Sequence, residues 1–173
     1  TLITNGKVIT PKGIIDGYLV YEDGKITEVG AGKCDVSADE TIDAQGRYVS
    51  PGFIDLHTHG AGGADYMDGT IEAYLTAAKT SAKHGATLVY PTTLTSSNKV
   101  LFDTFELYEA AVAANTEGAA FGGLHLEGPY FNPARAGAQD PRYLRNPQPE
   151  DYMEILSRSN NIARWSFSPE LEG

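Results

Sequence analysis

Pro51-Gly52-Phe53-Ile54-Asp55-Leu56-His57-Thr58-His59-Gly60 is where the chain changes character. An apolar run from Phe53 to His57, bounded by Pro-Gly before and glycine after, reads as a strand entering a loop. The pattern then repeats. A helix is expected from about Ile71 to His84, with Thr70 as its N-cap and Gly85 at its stop. Thr87 to Tyr90 reads as the next strand, Asn98 to Ala114 as the next helix and Ala120 to Leu126 as a third strand. A helix near Glu150 to Arg158 leads to a fourth strand from Arg164 to Ser168. Strand starts near 53, 87, 121 and 164 are 34, 34 and 43 residues apart, a spacing that suits βα units in a parallel sheet. The third unit is longer because it carries the loop Phe131 to Pro149, rich in Pro, Gly, Asn and Arg, and long connections of this kind are often functional.

Upstream of Pro51 the chain reads as short strands. Leu2 to Thr10 is β-rich around an Asn5-Gly6 turn signal, Tyr18 to Val29 resembles a hairpin turning at Asp23-Gly24, and Arg47 to Val49 is a further strand. The expected organisation is a small sheet domain over residues 1–50 and α/β units over residues 51–173.

Composition sets the limits. At 173 residues and 41% hydrophobic, the chain suffices for one full domain, or one small domain and part of another. A complete (β/α)8 barrel needs about 250 residues. With 13 Lys+Arg against 23 Asp+Glu the formal charge is −10, and no basic run is present to track a phosphate backbone, so nucleic acid and anionic membrane are poor partners. No stretch approaches the roughly 18 apolar residues of a membrane span. The one cysteine, Cys34, has no internal disulfide partner, and the first residues lack the charged and apolar regions of a secretion signal, so a cytoplasmic location is the default expectation. The start at Thr1 without Met and the close in Ser-Pro-Glu-Leu-Glu-Gly both read as places where a longer chain could have been cut.

The chemistry gathers at strand ends. Alternation on a strand puts Asp55, His57 and His59 on one side, roughly 6.6 Å apart per two residues, and two imidazoles so placed can bend toward one divalent ion such as zinc. A chance His-x-His pair is the competing reading, weakened by the apolar strand before it and the glycines after it. Glu127, in His125-Leu126-Glu127-Gly128-Pro129, ends a mostly apolar strand, where a carboxylate is costly unless it is paired or ligates a cation. His125 lies one step deeper and is expected to pack or to support a ligand. Asp55 is expected to orient an imidazole through its remaining ring N–H, and His84 to be solvated at a helix end. The Gly60-Ala-Gly-Gly-Ala64 loop suits either close backbone approach to a ligand or a flexible turn, and fits neither a dinucleotide nor a P-loop fingerprint. Cys34 lies far from these motifs, and Ser166 and Ser168 lack a nucleophile-elbow context.

Taken together, Pro51 to Gly60 resembles the first-strand signature of the amidohydrolase superfamily, whose members join a small β-sandwich to a metal-bearing (β/α)8 barrel. Gly123-Leu-His-Leu-Glu-Gly-Pro-Tyr130, with Gly60-Ala-Gly-Gly63, Tyr90-Pro-Thr-Thr-Leu94 and Ser168-Pro-Glu-Leu-Glu172, resembles the N-acetylglucosamine-6-phosphate deacetylases within it. The resemblance implies a metal set of Glu127, His57 and His59 holding one or two divalent ions, with zinc, iron, cobalt and nickel all suited to the donors. It implies that Ala138 and Gln139 touch a phosphorylated N-acetylhexosamine, although Gln139 stands where the family more usually has histidine. It also implies a homodimer, and a catalytic aspartate and further metal ligands lying beyond residue 173. The 173 residues would then be the small sandwich domain (1–50) and the first half of a barrel (51–173), incomplete for catalysis. Alternatives are a deacetylase for the galactosamine analogue, a cyclic-amide hydrolase such as dihydroorotase, and a non-catalytic half-barrel that binds metal or a partner. The cyclic-amide enzymes are disfavoured because many bridge their metals with a carboxylated lysine, absent from the relevant strand ends.

Overall fold

Strands fill the first fifty residues of the computed structural model, which describes all 173 residues. Contacts divide the chain into two units, Thr1–Pro51 and Gly52–Gly173. In the first, β1 (Leu2–Thr10) pairs antiparallel with β2 (Gly13–Glu22), and β2 with β3 (Lys25–Ala31) through the expected turn at Asp23-Gly24. Two short strands that lie parallel to β1, β4 (Thr41–Asp43) and β5 (Tyr48–Val49), complete a single five-stranded sheet. Residues 1–51 thus form one layer, and the second sheet of a sandwich is not made by them. Asn5-Gly6, expected to mark a turn, falls inside β1. The register against β2 slips between Ile3 and Gly6, with Asn5 at φ 51°, so the pair makes a bulge that bends one strand without reversing it.

The second unit alternates strands and helices: β6 (Phe53–Thr58), a small hairpin of β7 (Gly60–Ala61) and β8 (Ala64–Asp65), α1 (Ile71–Lys83), β9 (Ala86–Pro91), α2 (Asn98–Ala114), β10 (Ala120–Phe121), β11 (Leu124–Glu127), α3 (Pro149–Arg158) and β12 (Ile162–Ser166). Thr70 caps α1 by accepting the Ala73 N–H at 3.2 Å, and Ser97 caps α2 by accepting that of Val100 at 3.3 Å. Tyr74 and Ala77 of α1 and Leu101, Phe105 and Tyr108 of α2 recur at helical spacing and bury against Leu124 and Leu126 of β11. Strand alternation then turns His125 and Glu127 to the opposite face.

The strand expected over Ala120–Leu126 is broken in two. β10 pairs with β9 and β11 pairs with β12, both parallel, with Gly122-Gly123 making the step between them. Gly123 sits at φ 116°, where a Cβ would meet that of Ala163 at 2.6 Å and the Asn161 carbonyl oxygen at 3.0 Å, so only glycine fits. A bridge from Thr92 to His125 carries the parallel order from β9 across to β11.

The parallel run is strongly curved. Laid flat, β6 and β12 would be about 14 Å apart, three strand spacings, farther than an arginine side chain extends. Yet Arg164 Nη1 of β12 donates to the Leu56 carbonyl of β6 at 2.6 Å. β6 lies at the end of its sheet, and its Phe53, Ile54 and Leu56 are 70%, 59% and 49% exposed.

The long loop after β11 is anchored at its far end. Arg145 forks onto Asp151 with Nε–Oδ2 at 2.6 Å and Nη2–Oδ1 at 3.0 Å, and it also donates to Asn98 Oδ1 at 2.6 Å. Asn98 Nδ2 and the Tyr130 hydroxyl donate to the same carboxylate at 2.9 and 2.8 Å. Burial pulls the Asp151 carboxyl upward, but these hydrogen bonds outweigh it and hold the group below its ordinary range.

Two outcomes follow from this architecture. Gly123→Ala should lower unfolding stability by about 1–3 kcal/mol; a denaturant midpoint equal to that of the parent would contradict the steric account. A depressed folded-state pKa gives stability that is full above the unfolded carboxyl value and is lost as pH falls through the folded one. Asp151→Asn should therefore cost about 1–3 kcal/mol at pH 7 and show a shallower fall in thermal midpoint than the parent between pH 5 and pH 2. Parallel pH profiles would show that the clasp is not what titrates.

Candidate metal centre

β6 ends at Thr58, so His57 lies on its last turn of pleat and His59 just past it, and the two imidazoles emerge together. Their Nε2 atoms are 3.4 Å apart and their rings meet edge to face at 79°. Glu127, the last residue of β11, brings a carboxylate between them. Its Oε1 lies 3.4 Å from His57 Nε2 and its Oε2 3.2 Å from His59 Nε2. One ligand atom from each of the three residues falls within 4.8 Å of the others.

The chemistry of this donor set fits a divalent cation. Ligands about 2.0–2.1 Å from a tetrahedral ion stand about 3.4 Å from one another, close to the separations found here. The tautomer points the same way. His59 Nδ1 lies 3.1 Å from the Thr92 carbonyl, which only accepts, so Nδ1 carries a proton, and in the neutral imidazole Nε2 is the nitrogen left to ligate. With the ring neutral, the Nε2 lone pair faces the Glu127 carboxylate at 3.2 Å, an arrangement that a proton or a metal ion between them relieves.

The neighbours have structural parts. His125 is fully buried, its ring edge-on to His57 with centroids 4.8 Å apart. The Thr92 hydroxyl spends its proton on the Tyr90 carbonyl at 3.0 Å, so His125 Nδ1, 3.2 Å away, donates to it, and Nε2 accepts from Ser166 Oγ at 2.7 Å. Burial first, and then the Arg164 charge, push this imidazole down to about 4, so it is neutral and a support, as its sequence position suggests. Asp55 departs from expectation: its Oδ1 accepts the His57 backbone N–H at 3.1 Å and so holds the strand end, not an imidazole. His84 is exposed as the C-cap of α1, as expected. The Gly60–Ala64 loop is the ordered β7–β8 hairpin, not a flexible turn. Gly128, at φ 85°, leaves room where a Cβ would lie 2.1 Å from Thr95 Oγ1.

Gln139 reaches the cluster from the long loop. Its Oε1 accepts the Thr95 N–H at 2.7 Å, and its Nε2 donates to Glu127 Oε2 at 3.1 Å. Ala138, beside it, is exposed. Thr92, Thr95 and Ser166 hold the cluster together but carry no role in the sequence reading. Their signal is that polar residues follow an apolar strand at its C-terminal end, which marks a site without naming its parts.

Residues 40–125 match the model of the Amidohydrolase family. The N-acetylglucosamine-6-phosphate deacetylase of Bacillus subtilis (strain 168) is 33% identical over 150 residues, covering 83% of this chain and 38% of the relative. The crystal structure of N-acetyl-D-glucosamine-6-phosphate deacetylase from Mycobacterium smegmatis superposes with a TM-score of 0.87 at 27% identity, over 100% of this chain and 45% of that one. A mutant of the same enzyme in complex with N-acetyl-D-glucosamine-6-phosphate gives 0.84 at 26% identity, over 100% of this chain and 44% of that one. The chain spans less than half the length of these relatives. By sequence and by fold it belongs to the amidohydrolase family.

Proposed function

We propose that this chain is part of a metal-dependent deacetylase that hydrolyses the acetamide of N-acetylglucosamine 6-phosphate to glucosamine 6-phosphate and acetate. The observation that carries the reading is the facing of His59 Nε2 and the Glu127 carboxylate at 3.2 Å, with His57 completing the set. The deacetylase relatives, and the sugar phosphate bound by one of them, support the substrate class. On this reading residues 52–173 are the first half of a (β/α)8 barrel and residues 1–51 belong to a small β-sandwich. The curvature spanned by Arg164 and the exposed apolar residues of β6 support that architecture. No helix is long and apolar enough to cross a membrane, and the cytoplasm is the proposed location. A homodimer is part of the proposal, as the resemblance to the deacetylases implies; the net charge of −10 is consistent with phosphate-binding cations supplied from elsewhere.

His57, His59 and Glu127 would hold the ion. When bound, a divalent cation there supplies Lewis-acid polarisation of the acetamide carbonyl and a water made acidic enough to attack at neutral pH. The Thr92 carbonyl keeps the His59 lone pair turned inward, so that the ring need not change tautomer. Asp55 fixes the backbone that sets the His57 direction. Removing a proton from water and returning it to the departing amine requires a group of tunable charge. His125 does not serve, since burial holds it neutral and both of its nitrogens are engaged. The resemblance to the deacetylases implies a proton-transfer aspartate beyond residue 173. Ala138 and Gln139 are the proposed contacts to the sugar, and a glutamine amide hydrogen-bonds hydroxyls without adding a cation.

The test is turnover by the whole protein on the 6-phosphates of N-acetylglucosamine and N-acetylgalactosamine. The glucosamine compound should be the better substrate, chelation should abolish activity, and added divalent metal should restore it. His57→Ala and Glu127→Gln should each lose bound metal and about a hundredfold or more in kcat/KM. Activity that survives metal removal, or a preference for the galactosamine compound, would overturn the reading, and turnover by a polypeptide of residues 1–173 alone would overturn its incompleteness.

A further inference from the structure

We propose that Gln139 is a positioning residue that fixes the Glu127 carboxylate for metal binding, a role distinct from any contact it makes with a sugar; the inference rests on the metal reading above. Its side-chain amide is held at both ends. The Thr95 backbone N–H demands an oxygen, and it receives Oε1 at 2.7 Å. The carboxylate demands a donor, and it receives Nε2 at 3.1 Å on Oε2, the oxygen that faces His59. These two partners fix which end of the amide is which. With Oε2 so tethered, Oε1 is turned to His57, and each oxygen meets a different imidazole.

The tether also has a rigid base. Thr95 follows β9, whose end is locked to β6 by Thr92 N–H donating to the Thr58 carbonyl at 2.9 Å. The Glu127 backbone N–H donates to Thr93 Oγ1 at 3.3 Å. The loop that delivers Gln139 is closed locally, with the Gln139 N–H on the Ala136 carbonyl at 3.2 Å, and is held at its far end by the Arg145–Asp151 clasp. One amide therefore joins the loop after β9, the end of β11 and the long loop at the atom that would touch the ion. Partners of this kind, one bond removed from the metal, carry a large share of its affinity.

Zinc alone is the probe, with affinity measured by chelator competition on the whole protein and thermal unfolding of the metal-free protein as the control for folding. Gln139→Leu removes both hydrogen bonds at similar size, and Gln139→Asn keeps the amide but is too short to span both partners. Each should weaken zinc binding about ten- to hundredfold while the metal-free unfolding midpoint stays near that of the parent. A residue that only grips sugar would raise KM and leave zinc affinity unchanged. Unaltered zinc affinity in both variants, alongside its loss in His57→Ala, overturns the positioning role and spares the metal reading. A parent protein that binds no zinc overturns both.

Discussion

Thr92 is the residue on which the candidate site depends. It is fully buried, just past the end of β9, and every polar atom it has is used. Its N–H donates to the Thr58 carbonyl at 2.9 Å, and its hydroxyl accepts the Thr58 N–H at 3.2 Å while donating to Tyr90. The same hydroxyl takes the His125 Nδ1–H, and its carbonyl takes that of His59. Parallel strands are paired by evenly spaced backbone bonds that say nothing about side chains. At this point β6, β9 and β11 are registered through one threonine, and that register brings His57, His59 and Glu127 to the same level.

Periodicity made much of this legible. The apolar run ending in His57, the cap at Thr70, and the repeat of strand and helix are local features, each set by residues within a turn or two of one another. His57, His59 and Glu127 were visible as candidates because imidazole pairs and a carboxylate are conspicuous on apolar strands, and their convergence was an inference from strand direction. The hydrogen-bond partners were not visible. Gln139 lies 44 residues from Thr95 and 12 from Glu127, and no local pattern encodes a contact made by a loop folding back. Asp55 misled because alternation gives the face of a side chain but not its nearest donor, which is the backbone two residues on. Asn5-Gly6 misled in a related way: positive φ suits a bulge as well as a turn, and the choice between them is made by the partner strand.

The long loop after β11 shows how an irregular segment becomes a precise one. Two polar contacts at Gln139 would cost conformational entropy if the loop had to be ordered by them alone. Most of that ordering is done elsewhere, by the Arg145 fork on Asp151 and by the stack of Tyr130 on Trp165, whose ring centroids are 5.4 Å apart. The guanidinium also lies over the Tyr130 ring at 5.7 Å, so charge, hydrogen bonding and aromatic contact share one anchor. A site assembled on such a base inherits rigidity it does not have to supply.

The bare apolar flank of β6 bears on how the chain is made. Leu56 and the arginine that reaches its carbonyl are 108 residues apart, and at roughly 5–20 residues per second a ribosome needs about 5–20 seconds to cover that distance. Throughout that interval the strand that leads into the two histidines has emerged while its far partner does not yet exist. Phe53, Ile54 and Leu56 are then the kind of exposed apolar segment that molecular chaperones hold.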